Sequence, residues 1–332
     1  MTAVRSFRRT GRSRLLAAPL LAAILLGGCT IEAPVDSSAP TTTAVTPTPP
    51  GARTEQPELI DTELTECDGD ASLRPLNPMP DPGEMPARST MARIAERGRL
   101  IVGTDLGSNP LSFRDPISGD IEGFDVDVAH WISEAIFGEP RVEYRILSTN
   151  DRIAALQNNE VDIVVKSMSI TCDRLEQVAF SSPYYSASQR LLVYRNSGIE
   201  DAGQLNGRTV CATAGATSMT RVLRRAPDAR TVSTNNWADC LVMLQQGQVD
   251  AIAGDDPILA GIAAQDPQVR MVGDAIGHEH YGVGIPLGRN DLVRFVNGVL
   301  AQRRADGSWQ ESHERWLSVL GPGLPPTVTY RD

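Results

Sequence analysis

Two hydrophobic patterns alternate along the chain from residue 100 onward. Short apolar runs over 100–103, 142–146, 161–165, 191–194, 209–212, 249–253 and 281–285 read as strands, and the unbroken run 161–165 reads as a buried one. Between them lie segments of helical period. The clearest is 124–137, where Phe124, Val128, Ile132 and Ile136 recur four apart. Further helices are expected over 151–157, after the loop containing Gly215, and over 236–246, 257–264, 291–302 and 308–317. This alternation predicts α/β lobes, in which ligands bind beyond the carboxyl ends of the strands. The folded part, roughly 240 residues, suffices for one large or two modest domains.

One unit occurs twice. Ile153-Ala-Ala-Leu-Gln-Asn-Asn-Glu-Val-Asp-Ile163 has a loose echo in Cys240-Leu-Val-Met-Leu-Gln-Gln-Gly-Gln-Val-Asp-Ala251. Each copy reads as a helix, a polar turn and a Val-Asp pair opening a strand, as two similar lobes would produce. Asp162 and Asp250 are therefore read as turn and strand-entry residues rather than catalytic acids.

The first 54 residues follow a different logic. Five arginines (Arg5, Arg8, Arg9, Arg12, Arg14) precede an apolar run over 15–26, and no acid occurs before Glu32. A basic start followed by a run too short to span a bilayer predicts a secretory signal over 1–28. The sequence Leu26-Gly-Gly-Cys29 resembles a lipobox, which implies diacylation (palmitate or a similar chain) at Cys29. The alternative is an uncleaved membrane anchor. Residues 29–87 are expected to form a Pro/Thr-rich tether and an N-terminal extension. The part from 30 to about 54 is too poor in large apolar residues to offset its chain entropy.

Charge and cysteine usage narrow the partners. The net charge is −10 at pH 7, and loss of 1–28 would leave 26 basic against 41 acidic side chains, or −15. An acidic surface argues against nucleic acid and against a polybasic hold on anionic lipid, so membrane attachment would rest on the lipid anchor. The location expected is extracytoplasmic, on the cell membrane. There an even number of further cysteines (Cys67, Cys172, Cys211 and Cys240) suggests two disulfides with three possible pairings. No C-x-x-C pair or His-rich cluster occurs, so neither a metal nor another cofactor is expected.

The chemistry is concentrated at Val161-Asp-Ile-Val-Val-Lys-Ser-Met-Ser-Ile-Thr-Cys-Asp-Arg174 and Phe180-Ser-Ser-Pro-Tyr-Tyr185. Hydroxyls at Ser167, Ser169 and Thr171 alternate, so they share one side of an extended strand end. Arg174 follows within a short turn, and its planar fork suits a carboxylate. Together they suit a small molecule carrying both an ammonium and a carboxylate. These motifs closely resemble the signature of the polar amino-acid-binding proteins that serve ABC importers, and the resemblance covers roughly residues 90–318.

The resemblance implies a two-lobed periplasmic-binding-protein-like α/β fold that closes like a clam shell, with crossing hinge strands at 191–194 and 281–286. Lobe 1 would comprise 88–192 plus 285–325, and lobe 2 would comprise 195–280. It also implies a Cys211–Cys240 disulfide, leaving Cys67 to join Cys172. In the family's site, Arg174 would bind the ligand α-carboxylate, with Ser167 (by its carbonyl) and Ser169 beside it. Thr217 and Ser218 in Ala214-Gly-Ala-Thr-Ser218 would add contacts from lobe 2, and Asp255, rather than its neighbour Asp256, would take the α-ammonium. Asp105 would read the side chain. Ser108 and Asn150 stand where the family often has aromatics, which implies a polar pocket without an apolar sandwich. Lys166, the only lysine, has three options: to pair with Asp105, to reach a ligand carboxylate, or to stand on the outer side of the strand end. Arg152 carries the same ambiguity.

The function expected is a receptor, not an enzyme, that binds glutamine, asparagine, glutamate or aspartate and delivers it to an ABC permease. A sensor docking on a signalling membrane protein is the main alternative. A dehydratase-type enzyme on the same scaffold would need a buried general acid. No extra Glu or His suggests itself, since His278 and His280 are read as surface residues near the hinge.

Overall fold

The computed structural model describes residues 47–54, 67, 69 and 71–332. The expected signal over 1–28, lipidation at Cys29, and the tether apart from 47–54 lie outside the described residues.

Two five-stranded sheets organise the two lobes. In the first, the order is Val142–Ile146, Leu100–Thr104, Ile163–Val164, Gly284–Ile285, Ala179–Phe180. The first three strands are parallel, and Gly284–Ile285 is antiparallel to both of its neighbours. In the second sheet the order is Arg230–Thr234, Thr209–Thr213, Ala251–Asp255, Tyr185–Tyr194, Val269–Tyr281. Its first three strands are parallel and the last two pair antiparallel with each other. The helix Phe124–Phe137 coincides with its expected range and buries Phe124, Val128, Ile132 and Ile136. Gly138, with φ of 80°, ends it in the left-handed conformation that glycine adopts without a Cβ clash.

The crossings fall at 181–184 and 282–283, since Phe180 and Gly284 belong to the first sheet and Tyr185 and Tyr281 to the second. They are tied together there. Ser181 donates its N–H to the Val283 carbonyl (3.0 Å), and Val283 donates to Ser181 Oγ (2.9 Å). Two expectations shift. The segment 191–194 is not a crossing strand but the far end of Tyr185–Tyr194, because Leu191, Leu192 and Val193 are buried there. The lobe boundary expected at 192 accordingly moves to between 180 and 185. The buried strand expected over 161–165 is present: beside the pairing of Ile163–Val164, Asp162 and Val165 donate their N–H groups to the carbonyls of Ile101 (2.9 Å) and Gly103 (3.0 Å), and Val161 and Val165 are buried.

Both disulfides are present, Cys211–Cys240 and Cys67–Cys172, with Cα–Cα separations of 5.6 and 5.7 Å. The extension is more than a spacer. Ala71–Leu73 pairs in parallel with Thr329–Arg331, and Ser72 donates its hydroxyl to the Phe180 carbonyl (3.1 Å). The buried Asn297 amide donates to Ser72 Oγ (2.8 Å) and the Leu73 carbonyl (2.7 Å), while its own carbonyl accepts from Ser182 N–H. Residues 47–54, expected as part of a tether, instead dock on the second lobe. Arg53 and Ser233 exchange two backbone hydrogen bonds of 2.8 Å. The edge strand Arg230–Thr234 offers unpaired backbone groups, and such pairing requires no large apolar side chain.

Candidate functional site

The strand ends of the two lobes meet around a small cavity of about 20 Å³. That is room for about one water molecule, far below the range for small-molecule sites, so a ligand enters only when the walls move apart. The first lobe contributes Thr149, Arg152, Ser167, Ser169 and Arg174. The second contributes Gln189, Ala216, Thr217, Ser218, Trp237, Asp255 and Ile258.

Arg174 sits in the short helix Cys172–Leu175, whose start is capped by Thr171 Oγ1 accepting from Arg174 N–H (3.3 Å). Its guanidinium donates to the carbonyl of Ser169 (2.6 Å) and, across the cleft, to that of Gly215 (2.9 Å). Arg152 is equally buried. It donates to the carbonyls of Thr149 (2.8 Å), Lys166 (3.0 Å) and Ser167 (3.2 Å). Burial, and then the like charge of Arg174, push the Arg152 guanidinium down to about 9. Ser167 takes φ of 39°, a left-handed conformation uncommon outside glycine. This directs its N–H to Asp125 Oδ2 (2.8 Å) and its carbonyl to Arg152. Asp125, which also accepts from the Tyr184 hydroxyl (2.8 Å), is pushed up to about 7 by burial.

On the facing wall, Asp255 closes the strand Ala251–Asp255. It accepts hydrogen bonds from the Tyr281 hydroxyl and the Gln189 side chain. Burial raises its carboxyl above the ordinary value against those bonds and the charges of Arg152 and Arg174. Gln189 in turn donates to Thr217 Oγ1 (2.8 Å), and Ser218 Oγ donates to the Ala253 carbonyl (3.0 Å).

Ser167, Ser169, Arg174, Thr217, Ser218 and Asp255 are thus brought together around one space. Asp105, Asn150 and Lys166 are not among its lining residues, which departs from the expectation that Asp105 reads the side chain; for Lys166 the structure realises one of its three options, the pair with Asp105. Lys166 forms a buried ion pair with Asp105, which also accepts from Ser108 Oγ and Ser112 Oγ (both 2.8 Å). Burial alone would raise the Asp105 carboxyl, but Lys166 and the two hydroxyls hold it below the usual range. Asn150 lies under the Gly215 loop, where a Cβ added to Gly215 would come within 3.2 Å of Asn150 Cα. Asp256 accepts from Ser188 N–H (3.0 Å) and lies outside the lining.

Several site residues escaped the sequence reading. Trp237, with Ile258, supplies an apolar wall from the second lobe where none was expected. Glu279 is a buried acid beside the site, 3.0 Å from Arg221 Nε and hydrogen-bonded to Ser169; burial and then Asp255 push it up to about 7. Glu279 is thus an extra buried acid where the sequence suggests none. Glu279 and Tyr281 are two apart on one strand and so face the same side, the one signal that would have found the acid.

The family model for bacterial extracellular solute-binding proteins, family 3, matches residues 100–319. The chain is 32% identical over 232 residues to the ABC transporter glutamine-binding protein of Bacillus subtilis, covering 69% of this chain and 85% of that protein. It is 31% identical to a glutamate-binding protein of Corynebacterium efficiens, covering 71% and 86%. Among solved structures, it is similar to an ancestral amino-acid-binding protein described as a precursor of cyclohexadienyl dehydratase. That likeness has a TM-score of 0.64 and 33% identity, over 69% of this chain and 99% of the other. The matched region takes in both sheets and every cavity-lining residue, and the chain belongs to the bacterial extracellular solute-binding proteins of family 3.

Proposed function

We propose that the protein is a lipid-anchored extracytoplasmic receptor that captures an acidic amino acid, glutamate or aspartate ahead of their amides, and presents it to an ABC import permease. One observation carries the choice of ligand. Lys166 is matched by Asp105 and Arg221 by Glu279, whereas among the described residues neither Arg152 nor Arg174 has a carboxylate at ion-pair distance. At longer range Arg174 feels Glu279 and Asp255, and Arg152 feels Asp105 and Asp255; of these three carboxylates Asp255 is the one with no cation paired to it among the described residues. Buried charge is costly unless paired, and a ligand with two carboxylates and one ammonium completes the set.

In this reading Arg174 takes the α-carboxylate, with Ser169 and the N–H groups around Thr217 and Ser218 beside it. Asp255 takes the ammonium, and Arg152 the side-chain carboxylate. Asp105 and Lys166 support the first lobe instead of touching the ligand. Because the cations and Asp255 lie on opposite lobes, the ligand satisfies both only when the lobes are closed, and that differential contact drives closure. The attachment rests on the sequence Leu26-Gly-Gly-Cys29, and fatty-acid labelling of the full chain at Cys29 tests it.

The ligand is tested by a thermal-shift screen of the twenty amino acids against the soluble domain, since a ligand at a hundred times its Kd stabilises by about 2.7 kcal/mol. Glutamate and aspartate should raise the midpoint most, and their amides less. Stabilisation by none of them would sink the receptor reading. A larger effect of glutamine than of glutamate would reverse the assigned preference.

A further inference from the structure

The lobes touch at two glycines as well as at the ligand site. Gly261 lies within the helix Asp256–Ala263, which begins directly after Asp255. A Cβ at Gly261 would lie 1.5 Å from the carbonyl oxygen of Asn109, 2.5 Å from its carbonyl carbon and 3.4 Å from Pro110 Cδ. The backbone of the first lobe therefore rests on the backbone of a second-lobe helix, with no room for a methyl group. Gly215 makes the lesser contact under Asn150, and Arg174 donates to its carbonyl from the opposite lobe.

Neither side of the Gly261 contact can easily yield. The loop carrying Asn109 is fixed by Ser108 and Ser112, whose hydroxyls both bind Asp105 at 2.8 Å. It is fixed again by Leu111 N–H on the Ser108 carbonyl (2.6 Å) and Phe124 N–H on the Pro110 carbonyl (3.1 Å). The helix cannot retreat without moving Asp255, and Ile258 on the same helix lines the cavity. A methyl group at Gly261 must then be accommodated by separating the lobes. Close carbon–oxygen contacts settle at about 3.3–3.6 Å, so moving the Asn109 oxygen out from 1.5 Å opens a gap of roughly 2 Å at this point. A gap of that size takes a bridging hydrogen bond out of range.

We propose that Gly261 is a closure seat, a positioning residue that sets how near the lobes approach and so tunes affinity for every ligand without touching one. The proposal rests on the reading of a ligand held between two lobes. It also assigns a role to the Asp105–Lys166 pair, which holds the loop that meets the seat.

The test compares the full chains of wild type and Gly261→Ala. It measures the unfolding midpoint without ligand, the Kd for L-glutamate and L-glutamine by calorimetry, and the X-ray scattering profile with and without ligand. Alanine is the better helix former, so the ligand-free midpoint should stay level or rise. Affinity should nonetheless fall at least tenfold, by a similar factor for both ligands, and the saturated variant should remain less compact than the saturated wild type. Unchanged affinity with wild-type compaction would overturn the proposal. So would a lower ligand-free midpoint, which would make Gly261 a requirement of the fold itself. The two readings fail separately. A wild type that binds neither amino acid ends the receptor reading, while the seat is still judged by whether ligand-free wild type scatters as the more compact molecule.

Discussion

In the first lobe, the turn after the helix Arg152–Gln157 leads through Asp162 into the strand Ile163–Val164. In the second, the turn after Trp237–Gln245 leads through Asp250 into Ala251–Asp255. The two aspartates do the same work. Asp162 Oδ2 accepts from Ile101 N–H (2.8 Å) and pairs with Arg97; Asp250 Oδ2 accepts from Thr209 N–H (2.7 Å) and pairs with Arg208 (3.3 Å). Each ties the entering strand to its parallel neighbour. At the carboxyl ends the likeness stops. The first lobe presents Arg152, Ser167, Ser169 and Arg174, and the second presents Asp255, Gln189 and Thr217. A repeated scaffold thus carries a site that is not repeated, and the charge difference across the cleft lets a zwitterion bridge it.

The largest predicted effect comes from breaking the cationic wall at one point or the other. Removing one partner of a buried charge pair costs on the order of 2–5 kcal/mol. Arg174→Ala should therefore weaken every amino acid by roughly 30-fold or more. Arg152→Gln should weaken glutamate and aspartate by a similar factor while changing glutamine little, as read by calorimetric Kd values. If Arg174→Ala spared the amides and Arg152→Gln did not, the two arginines would have to exchange roles.

The facing wall makes a smaller, pH-dependent contribution. In the ligand-free protein the Asp255 carboxyl is raised above 3.8, chiefly by burial. A bound ammonium favours the carboxylate and lowers that pKa, so binding releases a proton between the two values. Affinity should be full above the ligand-free pKa and fall by up to tenfold per pH unit as pH drops below it. Asp256, at about 6, and Glu279, at about 7, titrate as well and would add their own pH dependence. The measurement is therefore made in Asp256→Asn and Glu279→Gln backgrounds, with buffers of different ionisation heat reporting the proton. An affinity that stays flat in those backgrounds from pH 8 down to about 4, the ordinary carboxylate range, would remove Asp255 from ammonium binding.

The asymmetry of the walls also governed what the sequence made legible. The helix Phe124–Phe137 was plain from its period, since every fourth apolar residue meets one core. Arg174 and Asp255 were plain because each ends a local motif. Gln189, Glu279 and Tyr281 were not, because they reach the site only through the antiparallel pairing of Tyr185–Tyr194 with Val269–Tyr281. Nothing local announces a pairing between strands so distant in sequence. The Asp105–Lys166 pair was visible as one option among three, and its choice depends on Gly103 pairing with Val164. Docking of 47–54 was invisible for another reason: it uses backbone groups, which composition does not report.

The smallest effect tests the repeated device itself. Asp162→Ala and Asp250→Ala each leave a strand-entry N–H, of Ile101 or Thr209, without its side-chain acceptor. An unsatisfied buried donor costs about 1–3 kcal/mol, with the lower end expected where water can replace the carboxylate. The Asp162 side chain is 15% exposed and that of Asp250 31%, so Asp162→Ala should cost more. At roughly 2–4 °C per kcal/mol for a domain of this size, the expected losses are about 4 °C and 2 °C in the ligand-free midpoint. Neither residue lines the cavity, and each stands at the strand end away from it, so Kd values should stay within about twofold, inside the usual tolerance for independent sites. Equal losses would mean that solvent access does not set the cost. A fall in affinity larger than the fall in stability would mean that strand entry and ligand wall are coupled within a lobe, and that the scaffold and the site are not separable.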